Sequence, residues 1–320
     1  MISKAIKVKR NEISRIMEFL KNEGLLIEGL KIIKDGDLAF LPVKSVPEGY
    51  DSYEMNFEEI PRIRSYIDLV KIPEDLKKYL PRSMDIVGNV AIVKLNENII
   101  EYSREIGNAI MLFNKNIKTV ALDRGVKGEF RVRDLEVIVG DGLETVHREN
   151  GIRIFIDLGN VYFSPRLSKE RSRILSLVRD GETILDLFCG SGAFSILIGK
   201  KRKVKIYSVD KNPRAIECLR ESIRINKIDN IVPILDDVRT AVNYIPNGDR
   251  AIMDLPMESI NLLDFVINKS SYFHIYYKTN SPDDVKNFIE GKGLKVENYG
   301  LVHGYSPSEG MYYFDARRGA

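Results

Sequence analysis

From about residue 180 onward, short apolar runs alternate with amphipathic stretches, and several of the runs end on acids. Thr183-Ile184-Leu185-Asp186-Leu187-Phe188 comes first and leads into a glycine-rich turn and a helix. Ile206-Tyr207-Ser208-Val209-Asp210 follows, and the helix after it carries Ile216, Leu219 and Ile223 on one face. A third run, residues 231–235, ends at Asp236-Asp237, and a fourth, Ala251-Ile252-Met253, ends at Asp254. Residues 272–277, 294–299 and 311–315 add further strands. Strands alternating with helices predict a parallel, doubly wound, Rossmann-like α/β sheet. The last two strands follow the final helix together, which suits an antiparallel hairpin at the sheet edge.

The amino-terminal half is less regular. Ile13, Ile16, Met17 and Leu20 recur at helical spacing, with Gly24 as the stop. The apolar run 38–43 and the turn-forming Pro47-Glu48-Gly49-Tyr50 complete a small α/β unit over residues 1–65. Residues 66–160 read as an α+β segment: a strand over 86–93, a helix over 106–113, a strand over 119–122 and then a basic stretch. The chain is thus expected in three parts, 1–65, 66–160 and 161–320, which its 320 residues accommodate.

Composition narrows the function classes. With 44% hydrophobic and 30% charged residues the chain has ample material for a core. Its net charge of +3 permits an anionic partner without requiring one, so a nucleic-acid partner must be argued from local clusters. The two cysteines, Cys189 and Cys218, share no close-spaced motif, which excludes a disulfide framework, a cysteine-rich zinc site and a three-cysteine iron–sulfur cluster. They favour a reducing, cytoplasmic setting. The Lys-rich first residues lack an apolar signal core, and no apolar run approaches the ~18 residues of a membrane span. His147, His274 and His303 are scattered without metal-ligand spacing, so no metal is expected. Arg166, Lys169, Arg171, Arg173 and Arg179 form one basic cluster, expected to meet phosphates. Lys200-Lys201-Arg202-Lys203 forms another, read as a solvated helix end.

Ligands of doubly wound sheets bind at the carboxyl ends of the strands. There this chain places Asp186, the turn Gly190-Ser191-Gly192, Asp210, Asp237 with Val238, and Asp254. The glycines let backbone approach a ligand, and Asp210 is positioned for the hydroxyls of a ribose. A nicotinamide dinucleotide calls for a third glycine where this chain has Ser195, and Asp186 would repel its pyrophosphate. S-adenosyl-L-methionine is cationic and carries no phosphate, so it suits these acids better, with Asp237 facing the adenine amine. An oxidoreductase and a binding protein without catalysis are the rival classes.

These residues and several stretches around them resemble the archaeal and eukaryotic tRNA (guanine-37 N1)-methyltransferases and their wyosine-pathway relatives. The most specific pieces are Val161-Tyr162-Phe163-Ser164-Pro165-Arg166-Leu167-Ser168-Lys169-Glu170-Arg171 and Asp186-Leu187-Phe188-Cys189-Gly190-Ser191-Gly192. Ser83 to Gly88, Gly128 to Arg133, Asp237-Val238-Arg239, Asp254-Leu255-Pro256 and Gly304-Tyr305-Ser306-Pro307 also match. The resemblance runs from about Pro81 to the carboxy terminus and leaves the first ~65 residues unmatched. It implies a class I methyltransferase domain using S-adenosyl-L-methionine, and a partner in tRNA, met as a monomer at the anticodon stem-loop and, through residues 1–65, at the outer corner. Arg166 would stabilise charge on the base, Glu170 would take the N1 proton, and Arg131 or Arg133 would reach the base or its phosphate. Tyr162 would shape the pocket and, with Phe163 or Tyr305, hold the extruded base. Phe163, Phe188, Lys211, Val238 and Pro256 complete the expected cofactor contacts. Arg166 and Glu170 lie four apart, so a helix starting at the Ser-Pro step would put both on one face. One position departs from the family pattern, which has Asn-Leu-Pro where this chain has Asp254-Leu255-Pro256. An ionised Asp254 near the base could accept from N1–H and share or assume the base role of Glu170, which makes it a further catalytic candidate, and a ring carbon of a wyosine precursor is the alternative acceptor.

Overall fold

The computed structural model describes residues 1–60, 63–130, 132–304 and 309–319. It divides into two units, Met1–Leu69 and Val70–Ala320.

In the first unit, strands β1 (Ile2–Lys9), β2 (Ile33–Asp35), β3 (Leu38–Pro42) and β4 (Ser52–Asn56) form an antiparallel sheet in the order β2-β3-β1-β4. Helix α1 (Ile13–Asn22) buries Ile16 and Leu20 against Ile6, Val8, Ala39 and Leu41. The helical spacing predicted that face. Gly24 follows the helix in the left-handed region, as its stop requires.

The second unit opens with β5 (Asp85–Val87), β6 (Val90–Val93), α2 (Ser103–Phe113), β7 (Thr119–Lys127) and β8 (Val132–Val139), whose strands pair in the order β5-β6-β7-β8. The single strand expected over 86–93 is instead a hairpin turning at Gly88-Asn89. Gly88 has φ +56°, and a Cβ there would sit 2.0 Å from Thr145 Oγ1. A second hairpin, β9 (Glu144–Glu149) and β10 (Ile152–Asp157), turns at Asn150-Gly151 with φ +46° and +77°. An Asn-Gly turn between alternating strands is a strong hairpin signal, and here it forms the turn of this pair. Ile152, Ile154 and Ile156 of β10 share one apolar cluster with Phe194, Ile198 and Leu219, so no separate core ends at residue 160.

After α3 (Ser168–Leu177) come β11 (Thr183–Asp186), α4 (Ala193–Lys201), β12 (Lys205–Asp210), α5 (Pro213–Asn226), β13 (Ile231–Leu235), α6 (Val238–Ala241), β14 (Gly248–Met253), α7 (Leu263–Val266), β15 (Ser270–Thr279), α8 (Pro282–Gly291), β16 (Leu294–Gly304) and β17 (Gly310–Arg318). The seven strands pair as β13-β12-β11-β14-β15-β17-β16, parallel from β13 to β15, with β17 antiparallel to both of its neighbours. This is the doubly wound sheet with an antiparallel edge hairpin that the alternation predicts. Pro233 is tolerated in β13 because that strand is an edge. Strand order reverses between β11 and β14, where Asp186 lies opposite Ile252.

A candidate active site at the switch point of the sheet

A cavity of about 580 Å³ opens beyond the carboxyl ends of β11, β12, β13 and β14. Doubly wound sheets bind ligands in this crevice, because the loops from adjacent strands leave in opposite directions there. One wall is built from the segments after these strands: Phe188 and Gly190, Asp210 and Lys211, Asp237 and Val238, Asp254 and Pro256. The other comes from earlier in the chain and includes Asp85, Lys94, Arg133, Tyr162, Phe163 and Arg166.

The strand-end acids differ in kind. Asp210 Oδ2 accepts from the Gly190 N–H at 2.7 Å and Oδ1 from the Asn212 N–H at 2.9 Å, so this carboxylate pins the glycine turn from the cavity wall. Burial holds its carboxyl above the ordinary range, against the lowering effect of those two donors. Asp237 caps α6 and is held by Arg239, through the backbone N–H at 2.9 Å and the guanidinium at 2.9 and 2.8 Å. The guanidinium draws its carboxyl down to about 2. Asp186 is buried behind the turn rather than on the cavity wall. Its Oδ2 accepts from Ser195 Oγ at 2.6 Å, and its Oδ1 has no hydrogen-bond partner among the described residues. Burial, with Asp254 and Asp210 adding repulsion, pushes it up to about 7.

Asp254 stands on the wall with no hydrogen bond to its carboxylate among the described residues. Desolvation and the nearby Glu170 push it up to about 6, against the opposing Arg171. Gly190 lines the cavity at φ +51°, whereas Gly192 does not. Gly192 starts α4 at φ +80°, where a Cβ would come 2.3 Å from Leu219 Cδ1, so it serves helix packing. Lys211 is on the wall, its ammonium 2.9 Å from Glu129.

The opposite wall carries both signs, Lys94, Arg133, Arg166 and Arg171 against Asp85, Asp123 and Glu129. Asp85 joins two arginines, accepting from Arg133 Nη2 at 2.8 Å and from Arg166 Nε at 3.0 Å. Arg166 also donates to His303 Nε2 at 3.1 Å and remains 53% exposed. Tyr162 is exposed on the same wall, while Phe163 is buried against His147 and Arg171. Arg131, Tyr305, Ser306 and Pro307 lie outside the described residues.

Two further expectations change. Arg166 and Glu170 do not share a face: Arg166 sits in a 3₁₀ turn, Pro165–Leu167, ahead of α3, which breaks the i,i+4 alignment. Arg166 faces the cavity, whereas Glu170 is buried off its wall, accepting from Arg173 Nε at 2.7 and 2.8 Å and from the Tyr276 hydroxyl at 3.0 Å. The basic cluster is also not a uniform phosphate surface. Arg171 is 2% exposed and forms a bidentate pair with Glu149 at 2.5 and 2.7 Å, and Arg173 binds Glu170 and Asp315. Asp85 had no assigned role, because a lone acid at a strand start gives no signal until its two arginines are brought to it.

Residues 145–290 match the model of the TRM5/TYW2 methyltransferase domain, and residues 63–143 that of the TYW2 N-terminal domain. The chain is 36% identical to tRNA (guanine(37)-N(1))-methyltransferase Trm5b of Pyrococcus abyssi, over 98% of each chain. The likeness therefore extends into the first ~65 residues, beyond the motifs that carried the resemblance. Among solved structures, that of aTrm5 in complex with tRNALeu is similar at a TM-score of 0.80 and 30% identity, covering 98% of this chain and 99% of that one. Trm5 of Methanocaldococcus jannaschii in complex with adenosine is similar at a TM-score of 0.68 and 29% identity, covering 99% of both. With a sheet of this order, a cavity at its switch point and a full-length relative at this identity, the chain belongs to the TRM5/TYW2 methyltransferase family.

Proposed function

We propose that the chain transfers a methyl group from S-adenosylmethionine to N1 of guanine at position 37 of tRNA. The observation that carries this is the alignment with a guanine-37 enzyme over 98% of both chains, amino-terminal unit included. The cavity supports the cofactor. Its strand-end wall carries Asp210, Asp237 and Asp254, the glycine turn between them contributes no cation, and the wall's two cations, Lys211 and Arg239, are paired with Glu129 and Asp237. That donor set suits a cationic ligand bearing a ribose and fits a pyrophosphate badly. The adenosine bound by the M. jannaschii relative agrees with it.

Asp210 would hold the ribose hydroxyls, since a carboxylate has about four lone-pair sites and the two backbone donors use only part of them. Val238 and Pro256 would flank the adenine. When bound, the cofactor supplies an electrophilic methyl on sulfur. On the other wall Arg166 offers an exposed guanidinium where negative charge grows on guanine O6, which stabilises the transition state more than the ground state. Tyr162 gives the extruded base an aromatic face, and Arg133 adds a second cation through Asp85. With position 37 as the target, the partner surface would be the anticodon stem-loop of tRNA. Incubation of an unmodified tRNA transcript with the cofactor, followed by nucleoside mass spectrometry, tests the proposal. The expected product is 1-methylguanosine, and methylation confined to tRNA carrying a wyosine precursor would reject guanine as the acceptor.

A further inference from the structure

Guanine N1 carries a proton at neutral pH, so methylation there needs a base. The family resemblance puts that role on Glu170, in the first turn of α3. Leu167 and Arg171, on either side of it in sequence, line the cavity, and its charge acts on Asp254, so the carboxylate lies directly behind the wall. What holds it there is one face of the β15–β17 ladder. His274 is in register with Asp315 and Tyr276 with Tyr313, and residues two apart on a strand share a face. The buried Tyr276 hydroxyl donates to Glu170 Oε2 at 3.0 Å, and its ring packs at 5.8 Å against Phe194 of the cavity wall. Arg173 Nε donates to both Glu170 oxygens, at 2.7 and 2.8 Å. Its two terminal nitrogens donate to Asp315, and its guanidinium lies 3.8 Å from the centre of the Tyr313 ring. His274 Nδ1 closes the chain on Asp315 at 2.7 Å.

We propose that Tyr276 and Asp315 are positioning residues for the Glu170 carboxylate, Tyr276 acting on it directly and Asp315 through Arg173. The inference rests on the guanine-N1 reading above. Tyr276 engages Oε2, which leaves Oε1 the spare lone-pair capacity to accept from N1–H. The N1–H bond breaks and its proton passes to Oε1. The N1 electron pair forms the new bond to the methyl carbon, and the carbon–sulfur bond breaks with its pair going to sulfur.

Asp315 meets a second requirement of the step. A carboxylate that is an arginine's sole counter-ion is a poor base, because taking up a proton strands a largely buried cation. Here Arg173 is shared, so it remains paired with Asp315 when Glu170 is protonated. Asp315 can serve in this way because, against burial, hydrogen bonds from His274 and Arg173 hold its carboxyl below the ordinary range. The charged and titratable groups around Glu170 come from each element packed on it: Arg171 and Arg173 from α3, Asp254 beyond β14, His274 and Tyr276 from β15, and Asp315 from β17.

Single-turnover methyl transfer to the guanine-37 transcript, followed on the full chain between about pH 4.5 and 9, tests this. Tyr276→Phe removes one hydroxyl and keeps the ring. Its rate at pH 7 should fall about tenfold, and its acid limb should begin at higher pH, because the ionised carboxylate has lost a donor. Asp315→Asn leaves Arg173 with Glu170 as its only carboxylate. Its rate should fall about 10- to 100-fold, and its acid limb should begin at lower pH. Calorimetric affinity for S-adenosylhomocysteine should stay at the wild-type value in both. Opposite displacements are the signature, since a merely structural contribution lowers the rate at every pH and leaves the limb in place. Wild-type rates in both variants, limbs that stay put, or limbs that move the same way would overturn the proposal. If the asparagine variant does not fold, Tyr276→Phe decides alone by the direction of its limb. A Glu170→Gln variant that keeps wild-type turnover would also overturn it, by removing the base that these residues hold. A wild type that leaves the transcript unmethylated rejects the guanine reading itself, and product analysis tells that failure from the others.

Discussion

Replacing Asp210 should damage the cofactor site in two ways at once. The side chain is both the expected ribose acceptor and the anchor of the turn, taking the Gly190 N–H at 2.7 Å and the Asn212 N–H at 2.9 Å. Hydrogen bonds to a charged group are worth about 1.5–3 kcal/mol, so Asp210→Ala should weaken S-adenosylmethionine roughly 10- to 150-fold. Asp210→Asn is not conservative here. Its amide NH₂ would have to face either the Gly190 or the Asn212 N–H, donor against donor, so it should bind as poorly as the alanine variant. Affinity should also fall with pH, because protonation removes an acceptor, and the fall should begin above the range of a free aspartate since burial raises this carboxyl. Isothermal calorimetry on the full chain at several pH values measures all three effects. Binding of either variant within twofold of wild type, or tighter binding of NAD than of S-adenosylmethionine, would refute the assignment.

Arg171→Met should strand the buried Glu149 and cost about 3–5 kcal/mol, read as a lower midpoint in thermal unfolding. Glu149 is held down to about 2 chiefly by hydrogen bonds from His147 and Arg171 working against burial. Its contribution should therefore be complete above the ordinary glutamate range and be lost as pH falls towards 2, a dependence absent in Glu149→Gln. Gly192→Ala combines a left-handed backbone with a 2.3 Å approach to Leu219, and should cost roughly 1–3 kcal/mol in the same assay. Asp85→Ala releases both Arg133 and Arg166, so tRNA methylation should drop about tenfold or more while calorimetric cofactor affinity stays unchanged. Recovery in Asp85→Glu would separate positioning from a fold defect.

The second half of the chain was legible because burial there writes itself into the sequence. Parallel strands buried on both faces give apolar runs, and the polar residue ending each run marks the ligand side. Hence Asp210, Asp237 and Asp254 could be placed on one crevice without coordinates. The middle segment was harder. Its strands are half-exposed, as in β8 and β9, so their apolar residues are sparse and the basic stretch masks their alternation. Gly88-Asn89 and Asn150-Gly151 were the available signals. The finer site geometry depended on contacts no pattern encodes. Asp186 drops behind the turn because Ser195, in the first turn of α4, captures its carboxylate. Glu170 turns away from Arg166 because a 3₁₀ turn separates them and because Arg173 and Tyr276 wait on the other side. Asp85 gained its role only when β5, β8 and the segment before α3 converged.

The central claim is methyl transfer to guanine N1 at position 37, and nucleoside mass spectrometry tests it most directly. Unmodified tRNA transcript with guanine at that position would be incubated with the chain and isotopically labelled S-adenosylmethionine, then digested. The account predicts one labelled methyl per tRNA, recovered as 1-methylguanosine and lost when position 37 is changed to another base. No label on this transcript, with label appearing on a ring carbon of tRNA that carries a wyosine precursor, would contradict it.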